Sequence, residues 1–358
     1  MLQDAVPLAE LSRALVVKLR HHGDVLLASP VFGALKAQAP KIEIDALTYD
    51  DTAPMLAGHP AIAQLHAVGR GWKEKDVFSR VFLETGLFNA LRARQYDLIV
   101  HLSEHPRGAW LARTLGARYS VAPAMPDRGD FWKHSFTHLY PLPKNGRRHQ
   151  VELNLDALRR IGVQPGLHER KVLFIPGEPA ERKISELVGK KPFIHFHPAS
   201  RWRFKCWPAE NNAELVDRLS QRYEVVLTAS PDADEISMIG KILESARTKP
   251  LDLAGKLSIK ELGALAARAR LFVGVDSMPM HLAAAMGTPT VALFGPSGEH
   301  EWGPWNVAHR VVTSAHACRP CGNDGCGGGK VSECLTKLEV DRVHAACEEL
   351  LRGEGARG

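Results

Sequence analysis

No run of about 20 consecutive apolar residues occurs in the 358-residue chain, which excludes a membrane-spanning helix. The most apolar long stretch, Leu271 to Gly295, is interrupted by Asp276 and His281. The first ten residues carry Asp4 and Glu10 and lack the basic-then-apolar order of an export signal, so a cytoplasmic chain is expected. No G-x-G-x-x-G follows the first apolar run, which counts against a nicotinamide dinucleotide enzyme. Zinc-finger, helix-turn-helix and RNA-recognition signatures are missing too, so no nucleic-acid partner is expected. Wholesale disorder is excluded by composition, with 45% apolar and 24% charged residues.

What is present points to two α/β domains, the number expected for this length. Apolar runs of strand length alternate with helical patterns from end to end, as in parallel sheets. Ala14–Leu19, Ile42–Thr48, Gln64–Val68 and Asp97–Leu102 read as strands in the first half. Asp24–Gln38, Val77–Arg94 and Arg107–Leu115 read as helices between them. Phe193–His197, Val225–Ala229, Leu271–Val275 and Thr290–Phe294 repeat the scheme. Breakers at Pro141, Pro143, Gly146, Pro165, Gly166, Pro176, Gly177 and Pro179 mark a linker, and a boundary is drawn between residues 175 and 176. Two Rossmann-like domains facing each other across a cleft would hold ligands beyond the carboxyl ends of their strands.

Charge is divided unevenly. Residues 1–175 hold 23 basic and 17 acidic side chains, and residues 176–358 hold 23 of each, so the whole +6 excess lies in the first half. That asymmetry points the first half toward an anionic partner. Cations interleave with aromatics there at Arg70-Gly71-Trp72-Lys73 and from Arg128 through Phe131-Trp132-Lys133, followed by Lys144, Arg147 and Arg148.

Four segments carry candidate chemistry. The first strand runs through Arg20-His21-His22-Gly23-Asp24 into a helix, where Asp24 is either a helix cap or a carboxylate base. Phe193–His197 leads into a loop with Ser200, Arg201, Arg203 and Lys205, followed by a helix opening at Pro208, a set suited to a phosphate. Asp276-Ser277 begins another helix, with Ser277 either capping it or meeting a phosphate and His281 either in the site or in the core. Gly295-Pro296-Ser297-Gly298 is the next strand-to-helix turn and could complete the pocket wall. Finally, Cys318, Cys321, Cys326 and Cys334 cluster among glycines, open to structural zinc, free thiols or a labile disulfide, while Cys206 and Cys347 read as packing residues.

Together LVVKLRHHGDVLLASPVFGALK, HPASRWRFKCWP and LAGKLSIKELGALAARARLFVGVDSMPMHLAAAMGTPTVALFGPS resemble the lipopolysaccharide core heptosyltransferases, glycosyltransferase family nine. HHGDVLL and FKCW are most like the heptosyltransferase III branch. The resemblance covers nearly the whole chain from Ala14 to about Leu351. It implies a GT-B fold with an acceptor-binding domain over 1–175 and a nucleotide-sugar domain over 176–358, the latter with a Cys-rich loop at 318–334 and a C-terminal helix. It also implies an ADP-heptose donor, an inner-core lipopolysaccharide acceptor at the cytoplasmic face of the inner membrane, and inversion without a required cofactor. Carried over by position, the catalytic base falls on Asp24 beside Gly23, and the diphosphate lysine on Lys205. Donor contacts fall near Ala199, Ser200 and Arg201, at Leu257, and on Asp276 with Ser277 and His281. The segment from His197 to Lys205 is one residue longer than in heptosyltransferase I, so single contacts between Ser200 and Lys205 stay open. So does the acid that holds the ribose, among Asp232, Asp234 and Glu235. Competing readings are another GT-B nucleotide-sugar transferase or epimerase, and a nucleotide-binding scaffold without chemistry.

Overall fold

The Val-, Ile- and Leu-rich runs form the centres of two parallel sheets. A computed structural model describes residues 4–143 and 147–353, which leaves Lys144 and Gly146 outside the described residues. The chain divides into two units, Met1–Ile175 and Pro176–Gly358.

In the first unit the strands are β1 (Arg13–Val17), β2 (Glu43–Tyr49), β3 (Gln64–Val68), β4 (Leu98–His101), β5 (Tyr119–Pro123) and β6 (His138–Tyr140). Their order across the sheet is β3-β2-β1-β4-β5-β6. The second unit has β7 (Phe193–His197), β8 (Glu224–Leu227), β9 (Leu251–Asp252), β10 (Leu271–Val275), β11 (Thr290–Leu293) and β12 (His309–Val312). Their order is β12-β11-β10-β7-β8-β9, which is the same topology repeated. Both are the doubly wound order whose ligand crevice opens where the winding reverses, between β1 and β4 and between β7 and β10. Central strands are buried on both faces because helices cover them, which is why they read as unbroken apolar runs. Ala14, Leu15 and Val17, for instance, have no exposed surface.

The first unit carries α1 (His22–Leu26), α2 (Ser29–Gln38), α3 (Val77–Ala93), α4 (Pro106–Thr114), α5 (Gly129–Lys133) and α6 (Gln150–Arg160). The second carries α7 (Glu178–Val188), α8 (Ala209–Leu219), α9 (Ala233–Ser245), α10 (Ile259–Arg268), α11 (Met278–Ala285), α12 (Glu299–Trp302), α13 (Glu333–Thr336) and α14 (Val340–Leu351).

Three expectations change. The helix read over Asp24–Gln38 is two helices, because Pro30 lacks the N–H and its ring would clash with the Leu26 carbonyl four residues back. The segment read as a linker contains α6, whose Val151, Leu155, Ala157 and Leu158 are fully buried. Its breakers bound a packed helix instead of loosening the chain. Strands β5, β6, β9 and β12 went unread because they flank the apolar centre of their sheets, and β6 and β9 are short as well.

Candidate functional site

The base candidate sits just past the carboxyl end of β1. His21, not Asp24, occupies the position before α1, so Asp24 lies inside the first turn and is not the helix cap. Its carboxylate is buried at 9% exposure, with the Arg20 Nε 3.7 Å away. The loop is braced from the next strands. His22 Nε2 lies 3.0 Å from the Asp51 carbonyl, and Arg70 donates to Asp51 at 2.9 Å and to the Arg20 carbonyl at 3.3 Å. The same guanidinium lies 4.0 Å over the Tyr49 ring. Thus Arg70 of the R-G-W-K segment belongs to the surroundings of Asp24.

Lys18 behind this loop escaped the sequence reading, because a single lysine closing an apolar strand looks like an exposed strand end. It is 3% exposed. Its Nζ donates to the Leu102 carbonyl and to Asn154 Oδ1, each at 2.9 Å. Asn154 Nδ2 in turn donates to the Leu27 carbonyl at 3.0 Å. One buried amide therefore ties the end of β1, the segment after β4 and the end of α1 together. Burial pushes the Lys18 ammonium down to about 8, opposed chiefly by the Asp24 carboxylate.

The cationic face of this unit is only partly aromatic. Trp132 is 2% exposed and donates to the Pro123 carbonyl at 2.9 Å, and Trp72 packs against the core, so both are packing residues. Burial lowers the His105 imidazole, and the nearby charges of Arg107, Lys73 and Arg128 push the same way, so cations from three segments converge there. Arg148 is taken up by Asp156 at 2.7 Å.

The second unit assembles its candidates more tightly. Lys205, in the loop after β7, donates to Asp276, just past β10, at 2.6 Å. The two residues come from the strands that flank the reversal of winding. Asp276 is 5% exposed, while part of the Lys205 side chain reaches solvent. Gly274 leaves room beside the paired strand, since a Cβ there would stand 2.8 Å from the His197 carbonyl. Ser200 is buried, and its Oγ accepts from the Trp202 N–H at 3.3 Å. Ser277 precedes α11 without capping it; its hydroxyl donates to the Val275 carbonyl at 3.2 Å. Ala199 is fully buried and His281 nearly so, with Trp302 6.4 Å from the imidazole. Arg201 lies 4.9 Å over the exposed Trp202 ring. Leu257, half-buried before α10, packs against that unit's core.

The three acids after β8 separate by environment. Asp232 caps α9, accepting from the Asp234 N–H at 3.0 Å. Asp234 pairs with Arg203 at 2.7 Å on the exposed surface. Glu235 alone is buried; one oxygen accepts from the Ser230 N–H at 2.9 Å and lies 3.9 Å from His197 Nε2. Burial depresses the His197 imidazole to about 3, so it is neutral, and its Nδ1 shares the Thr228 hydroxyl with His195.

Of the readings open for Cys318, Cys321, Cys326 and Cys334, no disulfide forms among them, and the other three lie close enough to Cys334 to act on its thiol. All six cysteines are free thiols, and among the described residues no group of three or more potential ligands could hold a metal ion. Leu335 and α13 draw Cys334 into the core while the other three face solvent. The segment braces the loops after β7 and β11. Arg319 donates to the Gly295 carbonyl at 2.7 Å, Gly322 N–H to the Pro296 carbonyl at 2.9 Å, and Ser332 to the Phe204 carbonyl at 2.6 Å. Trp207 and Phe204 are core residues, with the Trp207 indole donating to Leu338 at 2.9 Å. Cys206 is half-buried, and burial raises its thiol to about 11, so it is inert packing.

The sequence profile of glycosyltransferase family 9 (heptosyltransferase) matches residues 85–331. Lipopolysaccharide heptosyltransferase 3 of Escherichia coli (strain K12) is 37% identical over 292 residues, 80% of this chain and 83% of that protein. The fold is that of a glycosyl transferase family 9 structure from Veillonella parvula DSM 2008, with a TM-score of 0.82 at 23% identity over 98% of this chain and 100% of that one. Escherichia coli heptosyltransferase WaaC with ADP-2-deoxy-2-fluoro heptose aligns with a TM-score of 0.73 at 20% identity, over 94% and 99%.

Proposed function

The chain belongs to glycosyltransferase family 9, the heptosyltransferases, and from that premise we propose how its two units share one inverting transfer. The enzyme is a GT-B glycosyltransferase that moves heptose from ADP-L-glycero-D-manno-heptose to the inner core of lipopolysaccharide. The observation that carries the reading is the Lys205–Asp276 pair at the reversal of winding in the second unit, where a nucleotide ligand of such a sheet belongs.

The residues 176–358 bind the donor. Lys205 keeps two N–H donors beyond the one given to Asp276, and it is exposed enough to meet a diphosphate. With Ser200, Ser277 and the N-terminus of α11 it supplies the positive potential that the leaving ADP needs. Glu235 holds the ribose, since the other two acids are taken up by a helix cap and an exposed ion pair.

The residues 1–175 bind the acceptor. Asp24 removes the proton from the acceptor hydroxyl as that oxygen attacks the anomeric carbon. The bond from that carbon to the diphosphate breaks, and ADP leaves with the electron pair. Lys205 covers the charge that a metal covers in other transferases, so no cofactor is required, and brief EDTA treatment leaves activity intact. Prompt loss restored by magnesium would contradict this step.

The excess positive charge of this unit docks it on the cytoplasmic face of the inner membrane, where the phosphorylated acceptor resides. The test of the whole reading is a donor screen. ADP and ADP-heptose raise the melting temperature and ADP-heptose supports transfer to a core acceptor, whereas UDP, GDP and NAD do neither. Stabilisation by UDP alone would return the chain to another nucleotide-sugar activity, and ADP binding without transfer would make it a scaffold.

A further inference from the structure

Helix α3 begins with an apolar surface that nothing among the described residues covers. Val77, Phe78, Val81 and Phe82 are 73%, 88%, 58% and 78% exposed. At 100° per residue these four side chains span an arc of about 140° on one side of the helix. Farther along, Leu83, Glu84, Leu87 and Phe88 turn inward and Leu91 is fully buried, so the helix projects from the unit by its first two turns.

The surface continues onto α4 and α5. A groove of about 350 Å³ runs between α3 and α4, lined by apolar side chains such as Leu87, Phe88 and Trp110 and by the Glu84–Arg107 ion pair. Trp110 is 59% exposed and lies 5.1 Å from the exposed Phe131 ring. Monomers rarely leave so many bulky apolar side chains contiguous and uncovered.

Charge at the edges identifies the occupant. Lys73, Lys75 and Arg80 form no ion pair among the described residues; of the acids interleaved with them, Glu74 is exposed, Asp76 caps α3 and Glu84 is held by Arg107 at 2.5 Å. An apolar arc flanked by lysine and arginine is the pattern of a helix lying in the plane of an anionic bilayer surface.

We propose that the first two turns of α3 insert Val77, Phe78, Val81 and Phe82 into the interfacial region of an anionic phospholipid bilayer. Lys73, Lys75 and Arg80 then meet the headgroups. This inference rests on the peripheral docking proposed above and names the element that performs it. Because none of these residues belongs to the candidate catalytic or donor site, docking and chemistry separate experimentally.

The experiment uses the full chain with vesicles of phosphatidylglycerol and phosphatidylethanolamine, and with phosphatidylcholine vesicles as the neutral control. Wild-type protein sediments with the anionic vesicles and F78S/F82S partitions at least about tenfold less, since burial of aromatic area drives insertion. Transfer of heptose to a deacylated, water-soluble core acceptor stays within about twofold in that variant. Equal partitioning of wild type and F78S/F82S would overturn the α3 assignment while leaving docking by the basic loops. Equal binding of wild type to neutral vesicles, or none to either, would overturn the bilayer itself as partner. Self-association of the wild type that F78S/F82S abolishes in sedimentation velocity would reassign the surface to a second copy. Absence of transfer to the soluble acceptor by both proteins, with vesicle binding intact, would strike the heptosyltransferase reading and support the docking.

Discussion

The two units share a strand order and invert its chemistry. In each, a lysine bridges the two strands at which the winding reverses: Lys18 reaches the carbonyl after β4, and Lys205 reaches the carboxylate after β10. Lys18 is buried and bonds to neutral oxygens, beside a carboxylate that has the Arg20 guanidinium 3.7 Å away. Lys205 is partly open to solvent and its partner carboxylate is the buried member. The first unit thus presents a base and hides its cation; the second presents a cation and hides its acid. One topology fixes where ligands meet the sheet, and short loops at the strand ends decide what charge they meet.

If that inversion is functional, Asp24→Asn costs about 10²–10⁴ in transfer rate, the usual toll for a lost general base. ADP affinity by calorimetry stays unchanged, as the proposal that the other unit holds the nucleotide requires. Near-normal turnover would reduce Asp24 to part of a packed helix start.

The hidden cation gives the next largest effect, on stability. The folded Lys18 titrates near 8 against 10.5 for the ordinary side chain. Between those values the folded chain holds fewer protons than the unfolded one, so stability rises with pH across that window. At 1.36 kcal/mol per pKa unit the full rise is about 3 kcal/mol. Urea unfolding between pH 8 and 10 should show this rise in the wild type and lose it in Lys18→Met. Parallel curves for the two would mean that Lys18 is not buried as described.

Lys205→Ala weakens ADP binding by roughly 1.5–3 kcal/mol, the range for a charged hydrogen bond, and slows transfer as well. Unaltered affinity and turnover together would remove the clamp. The smallest effect separates the faces by charge. Raising salt should raise the Michaelis constant for the acceptor more than that for ADP-heptose, because exposed cations lose their reach beyond about 8 Å at physiological ionic strength. An equal rise in both, or none for the acceptor, would break the division of labour.

Asp45 shows why a displaced pKa alone does not find such a site. Burial acts to raise its carboxyl, yet hydrogen bonds from His66, Arg94 and Tyr96 outweigh it and hold the group at about 2. It lies near the start of β2, away from the ligand end of the sheet, and ties Arg94 and Tyr96 to that strand. Such a network is structural.

The order of apolar runs was enough to read the α/β class, the central strands and the loops that hold Asp24, Ser200, Lys205, Asp276 and Ser277. Parallel strands buried on both faces must be apolar throughout, so the centre of each sheet is written in consecutive residues. Short strands such as Leu251–Asp252 carry too few residues to be seen that way. Motif spacing likewise indicated the family. Three features needed the tertiary structure because they join residues far apart in the chain. Lys18 meets Asn154 across 136 positions, Lys205 meets Asp276 across 71, and Ser332 meets Phe204 across 128. The cysteines follow the same rule: packing beside Leu335 buries Cys334, while Cys318, Cys321 and Cys326 near it stay exposed. Local sequence determines which residues reach the ends of the strands; only packing between distant elements decides which of them are buried, paired or left exposed.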